Sequence, residues 1–404
     1  MTGERRHEEG RTEVLRHENG RTEVLRHENG RTKVPRHEPA FAGLKACATA
    51  DRETGCSDFP ADIQVAIVAH NNLGALPATL QSLTAAGCPA DRITVVDVAS
   101  TDGTREWLAR EWPAVRVRRL DRNDGPSPGR NVGITEATSR FVLLMDADVR
   151  IKPDTVQLLH AAMLADPSIK VGSPIVVHAD RPEVIQYAGG ALHYICEAIN
   201  PWLDRPLVDR GHTPQDIGAA PTCALLLDRQ AAIDVGLFDE RYFIGKEDGD
   251  FAHRIKMAGY TIMELPHSLV LHLSRPRGAW LFYYQIRNRW HFILKNYEAR
   301  TIVWLIPPLL VHEPLQLLVL VAKGHGLTYL RAVAGLITML PALPRDRALA
   351  RRIRRRPDRD LLISGPLVVR GDLASTFIVR HGRALYERLL DGYWNLLKRT
   401  VLTR

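Results

Sequence analysis

Phe141-Val142-Leu143-Leu144-Met145 is an apolar run without alternation, and it stops at two carboxylates one residue apart, Asp146 and Asp148. Consecutive apolar side chains suit a strand covered on both faces, which steers the chain toward an α/β sheet with helices above and below. The carboxylates then stand at the carboxyl end of that strand, where open α/β sheets bind their ligands. Paired hard oxygen donors at such a place suit Mg2+ or Mn2+ holding a phosphate. A solvated acidic turn after a strand is the bland alternative, and the neighbouring segments decide between the two.

Those segments repeat the same design. Ile63 to Ala69 reads as a buried strand ending at His70-Asn71-Asn72. A helix is expected from Leu76 to Ala86, with Leu76, Leu80 and Leu83 at helical spacing and Gly87 as its stop. Ile93 to Val98 is a second buried strand, followed by the turn Ala99 to Thr104 and a helix carrying Trp107 and Leu108; Val115 to Leu120 is a third. The stretch Gly125 to Gly133 is expected to be a loop opening the helix that leads to the Asp146 strand. Strand and helix alternating at this spacing predict parallel pairing with right-handed crossovers. Further on, Cys223 to Leu227 reads as a strand, Glu247 to Gly259 as a helix with an acidic first turn, and Thr261 to Leu265 and Leu269 to Leu273 as two short strands.

Ahead of all this, residues 6 to 39 repeat with a ten-residue period, Arg-His-Glu-Asn-Gly-Arg-Thr-Glu-Val-Leu and its variants. Each unit carries too few apolar side chains to offset the entropy of ordering, so residues 1–58 are expected to be a disordered repeat leader whose histidines have no chemical role. The net charge of +8 would suit nucleic acid, an anionic membrane surface or a phosphorylated substrate. Five scattered cysteines without a Cys-x-x-Cys pair argue for a reducing compartment and against a zinc or disulfide framework. The polar amino terminus lacks the apolar core of a secretory signal, so the catalytic part is expected in the cytoplasm.

Five motifs then occur in order: the strand ending His70-Asn71, the turn Val96-Asp97-Val98-Ala99-Ser100-Thr101-Asp102-Gly103-Thr104, Gly129-Arg130-Asn131-Val132-Gly133, Asp146-Ala147-Asp148, and Glu247-Asp248-Gly249-Asp250. Together they make the segment from Val65 to about Tyr260 resemble a family-2-type inverting glycosyltransferase of the bacterial rhamnosyltransferase and cell-surface polysaccharide type. Val98 departs from the pattern, which has a polar residue there. The resemblance implies a GT-A fold, a Rossmann-like mixed sheet with helices on both faces, over residues 59–298. It also implies a nucleotide-diphosphate sugar donor, a saccharide or lipid-linked acceptor, and Mg2+ or Mn2+.

Residue by residue, it implies Asp148 as direct metal ligand, Asp146 reaching the ribose or the metal through water, and His272 completing the coordination, with His267 the weaker candidate. His70, Asn71, Ser100, Gly129 and Asn131 fall in the substrate-binding set. Asp97 would accept from the nucleobase. Asp102 is either a donor contact or the turn residue before Gly103, and Arg130 either faces the diphosphate or is an exposed helix-start arginine. Asp248 is the candidate general base and Glu247 its competitor, while Asp250 would position the base or cap the helix. An acidic first turn favoured by the macrodipole explains the same residues without catalysis.

Arg275, Arg277, Arg287 and Arg289 alternate with Tyr283, Tyr284, Trp290 and His291. Such a stretch would bind single-stranded nucleic acid by stacking; closure over the diphosphate, or contact with a lipid-phosphate acceptor, fits the preceding site better, and no nucleic-acid partner is expected. Residues 299–404 are expected to form a helical extension. Its apolar runs are broken at His312-Glu313-Pro314 and Arg331 and are followed by arginines from Arg345 to Arg356. That pattern suits peripheral or monotopic attachment to the anionic inner face of the cell membrane rather than a full span. Leu389, Tyr393, Leu396 and Leu397 suggest a last amphipathic helix. The rival functions are a sugar-phosphate nucleotidyltransferase, which would want a glycine-rich, lysine-containing loop in place of His70-Asn71-Asn72, and a non-catalytic nucleotide-sugar binding module.

Overall fold

The computed structural model of the chain describes residues 58–274, 277–367 and 377–402; the repeat leader, apart from Asp58, and Arg275 lie outside them. Strands and helices alternate first as β1 (Ile63–Ala69), α1 (Leu76–Ala85), β2 (Ile93–Val98), α2 (Thr104–Glu111), β3 (Arg116–Leu120), α3 (Pro126–Glu136) and β4 (Phe141–Asp146). There follow β5 (Val149–Ile151), α4 (Thr155–Ala165), β6 (Ile169–His178), β7 (Ile185–Tyr187), β8 (Ala191–Leu192), β9 (Ala198–Ile199), β10 (Gln215–Asp216), β11 (Ala224–Asp228), α5 (Arg229–Asp234), α6 (Glu247–Met257) and β12 (Thr261–His272). The main sheet runs β10-β12-β6-β11-β4-β1-β2-β3, with β5 on β12 and β7 on β6. Strands β1 to β4 are mutually parallel. Because β11 enters antiparallel between β4 and β6, the sheet is mixed.

The apolar run of β4 is explained by what lies on its two sides. Phe141, Leu143 and Met145 face a core shared with Leu76, Leu80 and Leu83 of α1 and Leu159 and Met163 of α4. Val142 and Leu144 face the opposite core with Ile134 of α3 and Phe251 and Ile255 of α6. Each such side chain, fully removed from water, contributes about 1.5–3 kcal/mol before entropy is counted. Helix α3 lies unusually close to the sheet: a Cβ on Gly133 would sit 2.5 Å from Ala66 Cβ. That approach carries Arg130, one turn earlier, to the end of β4.

Two expectations need correction. The Gly125 to Gly133 stretch is helical from Pro126, since proline at the first helical position loses no intrahelical bond and already has helical φ; Gly125, at φ 92, makes the entry. The two short strands after α6 are one, β12, with a register shift between Leu265 and Leu269 that accommodates Pro266. Residues 299–322 form a single helix in spite of Pro307, Pro308 and Pro314, because burial of Leu305, Pro308, Leu309 and Leu320 overrides local propensity.

The carboxyl-terminal part is helical: α7 (Leu281–Asn296), α8 (Ala299–Ala322), α9 (Gly326–Leu336), α10 (Leu343–Ile353), α11 (Asp358–Leu361) and α12 (Phe377–Thr400). Trp394 and Leu397 of α12, Leu305 and Leu309 of α8 and Phe292 of α7 share a core with Tyr194 and Ile195 from the loop between β8 and β9. Ala299–Ala322 and Gly326–Ile353 are each long and apolar enough to cross a membrane by length and composition, with mean hydropathies of 1.7 and 1.4. On the last helix Leu390, Trp394 and Leu397 are buried, whereas Leu389 and Leu396 are exposed, so the amphipathic stripe is rotated from the one the sequence suggested.

Candidate active site

A cavity of about 710 Å³ opens at the carboxyl ends of β1, β2 and β4. Its floor is the turn after β4. Val68 pairs with Asp146 in register, Ala147 N donates to Val68 O at 3.1 Å and Asp146 N to Cys223 O at 2.9 Å, and Thr79 Oγ1 donates to Ala147 O at 2.8 Å. The turn is thus clamped from β1, β11 and α1. On its far side β5 pairs antiparallel with the end of β12, His272 opposite Val149, and Leu273 N donates to Asp148 O at 3.0 Å. This pairing brings in a histidine from 124 residues downstream. One ligand atom each from Asp146, Asp148 and His272 falls within 4.8 Å of the others, spacing that suits three donors around one cation at about 2.0–2.3 Å.

Across the cavity stands the first turn of α6, entered through Lys246 in a left-handed conformation (φ 71). Glu247 is buried; the Asp248 side chain keeps 39% of its surface exposed. Thr222 Oγ1 donates to Asp248 Oδ1. Between the two acidic groups lies the buried guanidinium of Arg130, 3.1 Å from Asp146 Oδ1, 3.2 Å from Asp248 Oδ1 and 3.8 Å from Glu247 Oε1. Arg130 is therefore not an exposed helix-start residue: it sits in the second turn of α3 and ties the two carboxylate groups together. Burial works against its charge, but Asp146, Asp248 and Glu247 outweigh burial and its pKa moves up. Burial, with Asp148 adjoining, raises Asp146 against the pull of Arg130. Burial and then Asp248 push Glu247 up to about 7, and its buried Oε2 has no hydrogen-bond partner among the described residues.

His70, Arg130, Asp146, Asp148, Glu247, Asp248 and His272 thus line one cavity, joined there by Gln186, Tyr187, Phe243, Arg277 and Trp280. The other candidates stand behind it. Asp97, fully buried, accepts from Ser100 N at 2.9 Å and from Arg119 Nη1 at 2.8 Å. Asn71 Oδ1 accepts from Thr101 N at 2.8 Å and its backbone N–H donates to Ser100 Oγ at 3.0 Å, so these residues lace β1 to the turn after β2. Asp102 accepts from Leu73 N at 2.9 Å and from Thr104. Asn131 bridges to Phe238 and Glu240, Gly129 lets α3 lie against Val68 and Val98, and Asp250 is spent on Arg254, Lys295 and Asn296. His267 stacks on His212 with ring centroids 4.9 Å apart and is not among the cavity-lining residues. Sequence reasoning missed Thr222 and Gln186. Their positions depend on β11 and β7, whose places in the sheet no local pattern specifies.

A triad with metal-ligand spacing facing buried Glu247 and half-buried Asp248, at the carboxyl end of a mixed sheet covered by helices, is the arrangement of a GT-A-like α/β domain. Residues 64–227 match the family model Glycosyl transferase family 2. The chain is similar to the succinoglycan biosynthesis protein ExoO of Rhizobium meliloti, 29% identical over 138 residues, 34% of this chain and 38% of that one. It is also similar to N-acetylglucosaminyl-diphospho-decaprenol L-rhamnosyltransferase of Mycobacterium tuberculosis, 25% identical over 201 residues, 45% of this chain and 66% of that one. The dTDP-rhamnosyl transferase RfbF of Shigella flexneri is 22% identical over 252 residues, 58% of this chain and 81% of that one. The match thus spans less than two thirds of the first two relatives. Among solved structures, the mannosyltransferase PcManGT of Pyrobaculum calidifontis in complex with GDP-Man and Mn2+ superposes with a TM-score of 0.44 at 17% identity, covering 86% of this chain and 91% of that one.

Proposed function

We propose that the chain is an inverting glycosyltransferase that moves a sugar from a nucleotide-diphosphate donor to a hydroxyl of a saccharide or lipid-linked acceptor in cell-surface glycan synthesis. The observation that carries this reading is the placing of Asp146, Asp148 and His272 on one wall of the cavity and Glu247 and Asp248 on the other, with Arg130 between. Two carboxylates and an imidazole at that spacing suit Mg2+ or Mn2+. Asp148 and His272 would hold the ion directly and Asp146 would support them; the bound ion would supply neutralisation of the leaving diphosphate. The family match supports the donor class, and the cavity lies in the size range of small-molecule sites.

Asp248 takes the acceptor proton. Its Oδ1 is held by Thr222 and Arg130, which aims the rest of a partly exposed carboxylate at the cavity. A specific observation favours a second assignment, Glu247: its Oε2, without a hydrogen-bond partner among the described residues, and a carboxyl pushed up to about 7 by burial and Asp248 are what a general base at neutral pH needs. Membrane attachment rests on a different surface. Val303, Ile306, Leu310 and Leu318 of α8, Leu327 and Leu330 of α9, and Ile337 are exposed, and Arg345, Arg351, Arg352 and Arg355 stand exposed beyond them. An apolar face beside clustered arginines fits the anionic inner leaflet of the cell membrane.

The test is a panel of nucleotide-diphosphate sugars and their free nucleotides, read by thermal stabilisation with and without Mn2+ and followed by sugar transfer. A ligand at 100 times its Kd adds about 2.7 kcal/mol. Stabilisation by oligonucleotides, with none from any nucleotide, would sink the proposal.

A further inference from the structure

Three polar side chains outside the triad form a line that ends on it. Asp204 Oδ1 lies 3.2 Å from His178 Nε2, His178 Nδ1 lies 3.4 Å from Gln186 Nε2, and Gln186 Oε1 lies 2.6 Å from His272 Nδ1. His272 Nε2 then points at Asp148, 3.6 Å from its Oδ1. Strand pairing builds the line. His178 ends β6 beside His272 of β12, β7 folds back on β6 to present Gln186, and Asp204 is tied to β7 by its backbone amide, which donates to Ile185 O at 2.9 Å.

With a neutral imidazole at position 178, the direction of each hydrogen bond follows from the Asp204 end. An ionised carboxylate only accepts, so His178 must donate through Nε2–H; a neutral imidazole then offers Nδ1 as an acceptor. Gln186 must supply its NH₂ there, which leaves its carbonyl oxygen toward His272. His272 in turn must carry its proton on Nδ1, and the lone pair on Nε2 faces Asp148. That is the tautomer a metal ligand needs, since the hydrogen bond made by one ring nitrogen decides what the other can do.

We infer that Gln186, oriented through His178 and Asp204, is a positioning residue that locks His272 in its metal-binding tautomer and orientation. The inference rests on the metal reading proposed above. Without Gln186 the ring is free to rotate and to place its proton on either nitrogen.

Mn2+ binding to the full chain, followed by the electron paramagnetic resonance signal of the free ion, tests this without any sugar substrate. Gln186→Leu is expected to weaken Mn2+ binding about 10- to 100-fold, the usual cost of losing a group that orients a ligand. Gln186→Glu, which still accepts from Nδ1–H, should retain the parental affinity. Asp204 is exposed at the far end and has a left-handed backbone, φ 58, that glycine adopts without strain, so Asp204→Gly should fold normally and weaken binding less than Gln186→Leu does. If Gln186→Leu binds Mn2+ as the parent does while Asp148→Ala has lost it, the positioning role is overturned and the metal site stands. If the parent binds no Mn2+, the metal reading fails and this inference with it.

Discussion

Arg130→Met is the perturbation that tests the centre of the site most directly. The guanidinium is almost wholly buried and lies within 3.1–3.8 Å of Asp146, Asp248 and Glu247. Methionine fills much of the volume but leaves three carboxylates without their cation. Removing one partner from a buried ionic cluster costs about 3–5 kcal/mol, a fall in Tm of roughly 4–8 °C for a chain of this size. The loss should also depend on pH. Glu247, pushed up to about 7 from an ordinary 4.5, and Asp146, also raised, bind protons more readily in the folded chain than in the unfolded one. The stability they contribute is complete below the unfolded value and is lost as pH rises through the folded one. Without Arg130 both move further up, so the variant should regain stability between pH 8 and pH 5, and its deficit relative to the parent should shrink by more than half. Urea denaturation of parent and variant at pH 8, 6.5 and 5 reads this out. A deficit that is constant or grows toward pH 5 would show that Arg130 acts through packing on Phe238, 5.5 Å from its guanidinium, and not as counter-charge.

Asp248→Asn is expected to cut sugar transfer by about 10²–10⁴-fold and leave Mn2+-dependent nucleotide binding intact; full turnover would move the base to Glu247. Glu247→Gln removes the carboxyl that burial and Asp248 push up to about 7, so calorimetry should show it more stable than the parent at pH 8 and a flatter stability profile between pH 5 and 8. Gly133→Ala places a methyl 2.5 Å from Ala66 Cβ and should cost about 1–3 kcal/mol by overpacking, measured as a lower urea midpoint; an unchanged midpoint would mean α3 is free to lift off the sheet. Replacing exposed Leu310 and Leu318 together by glutamate should lower binding to anionic vesicles by roughly 100-fold without changing Tm, and flotation assays showing no change would remove this face from the membrane contact.

The sheet was legible because its strands are buried on both sides. Ile63 to Ala69, Ile93 to Val98 and Phe141 to Met145 have no alternation to misread, and each lies where its apolar run predicts. Gly125-Pro126-Ser127-Pro128-Gly129 read as a loop by composition, although proline at a helix start is a favourable residue. That misplaced boundary is why Arg130 looked like a helix-start residue when it is enclosed one turn further in. Gln186 and Thr222 were out of reach for another reason. One sits on a three-residue strand and the other just before β11, and what they touch is decided by pairings with β6 and β4, far away in sequence.

Asp248 and Asp250 show where local pattern ends and packing begins. Residues two apart on a helix point about 200° away from each other, so the first turn of α6 can offer only one of them to the cavity. Lys295 and Asn296 of α7 take Asp250, with Arg254 one turn along, and this holds its carboxyl low, at about 2, where burial alone would raise it. A carboxylate so neutralised is a poor proton acceptor. Asp248 is left on the cavity side, held by Thr222 and Arg130. The helix that follows the acidic turn in space, α7, therefore takes Asp250 out of the cavity and leaves Asp248 in it. The choice is checked by Asp250→Asn, which should lower stability through Lys295 and Arg254 while nucleotide affinity and pH–rate profile stay as in the parent. A shifted profile in a well-folded Asp250→Asn chain would return that residue to the catalytic machinery.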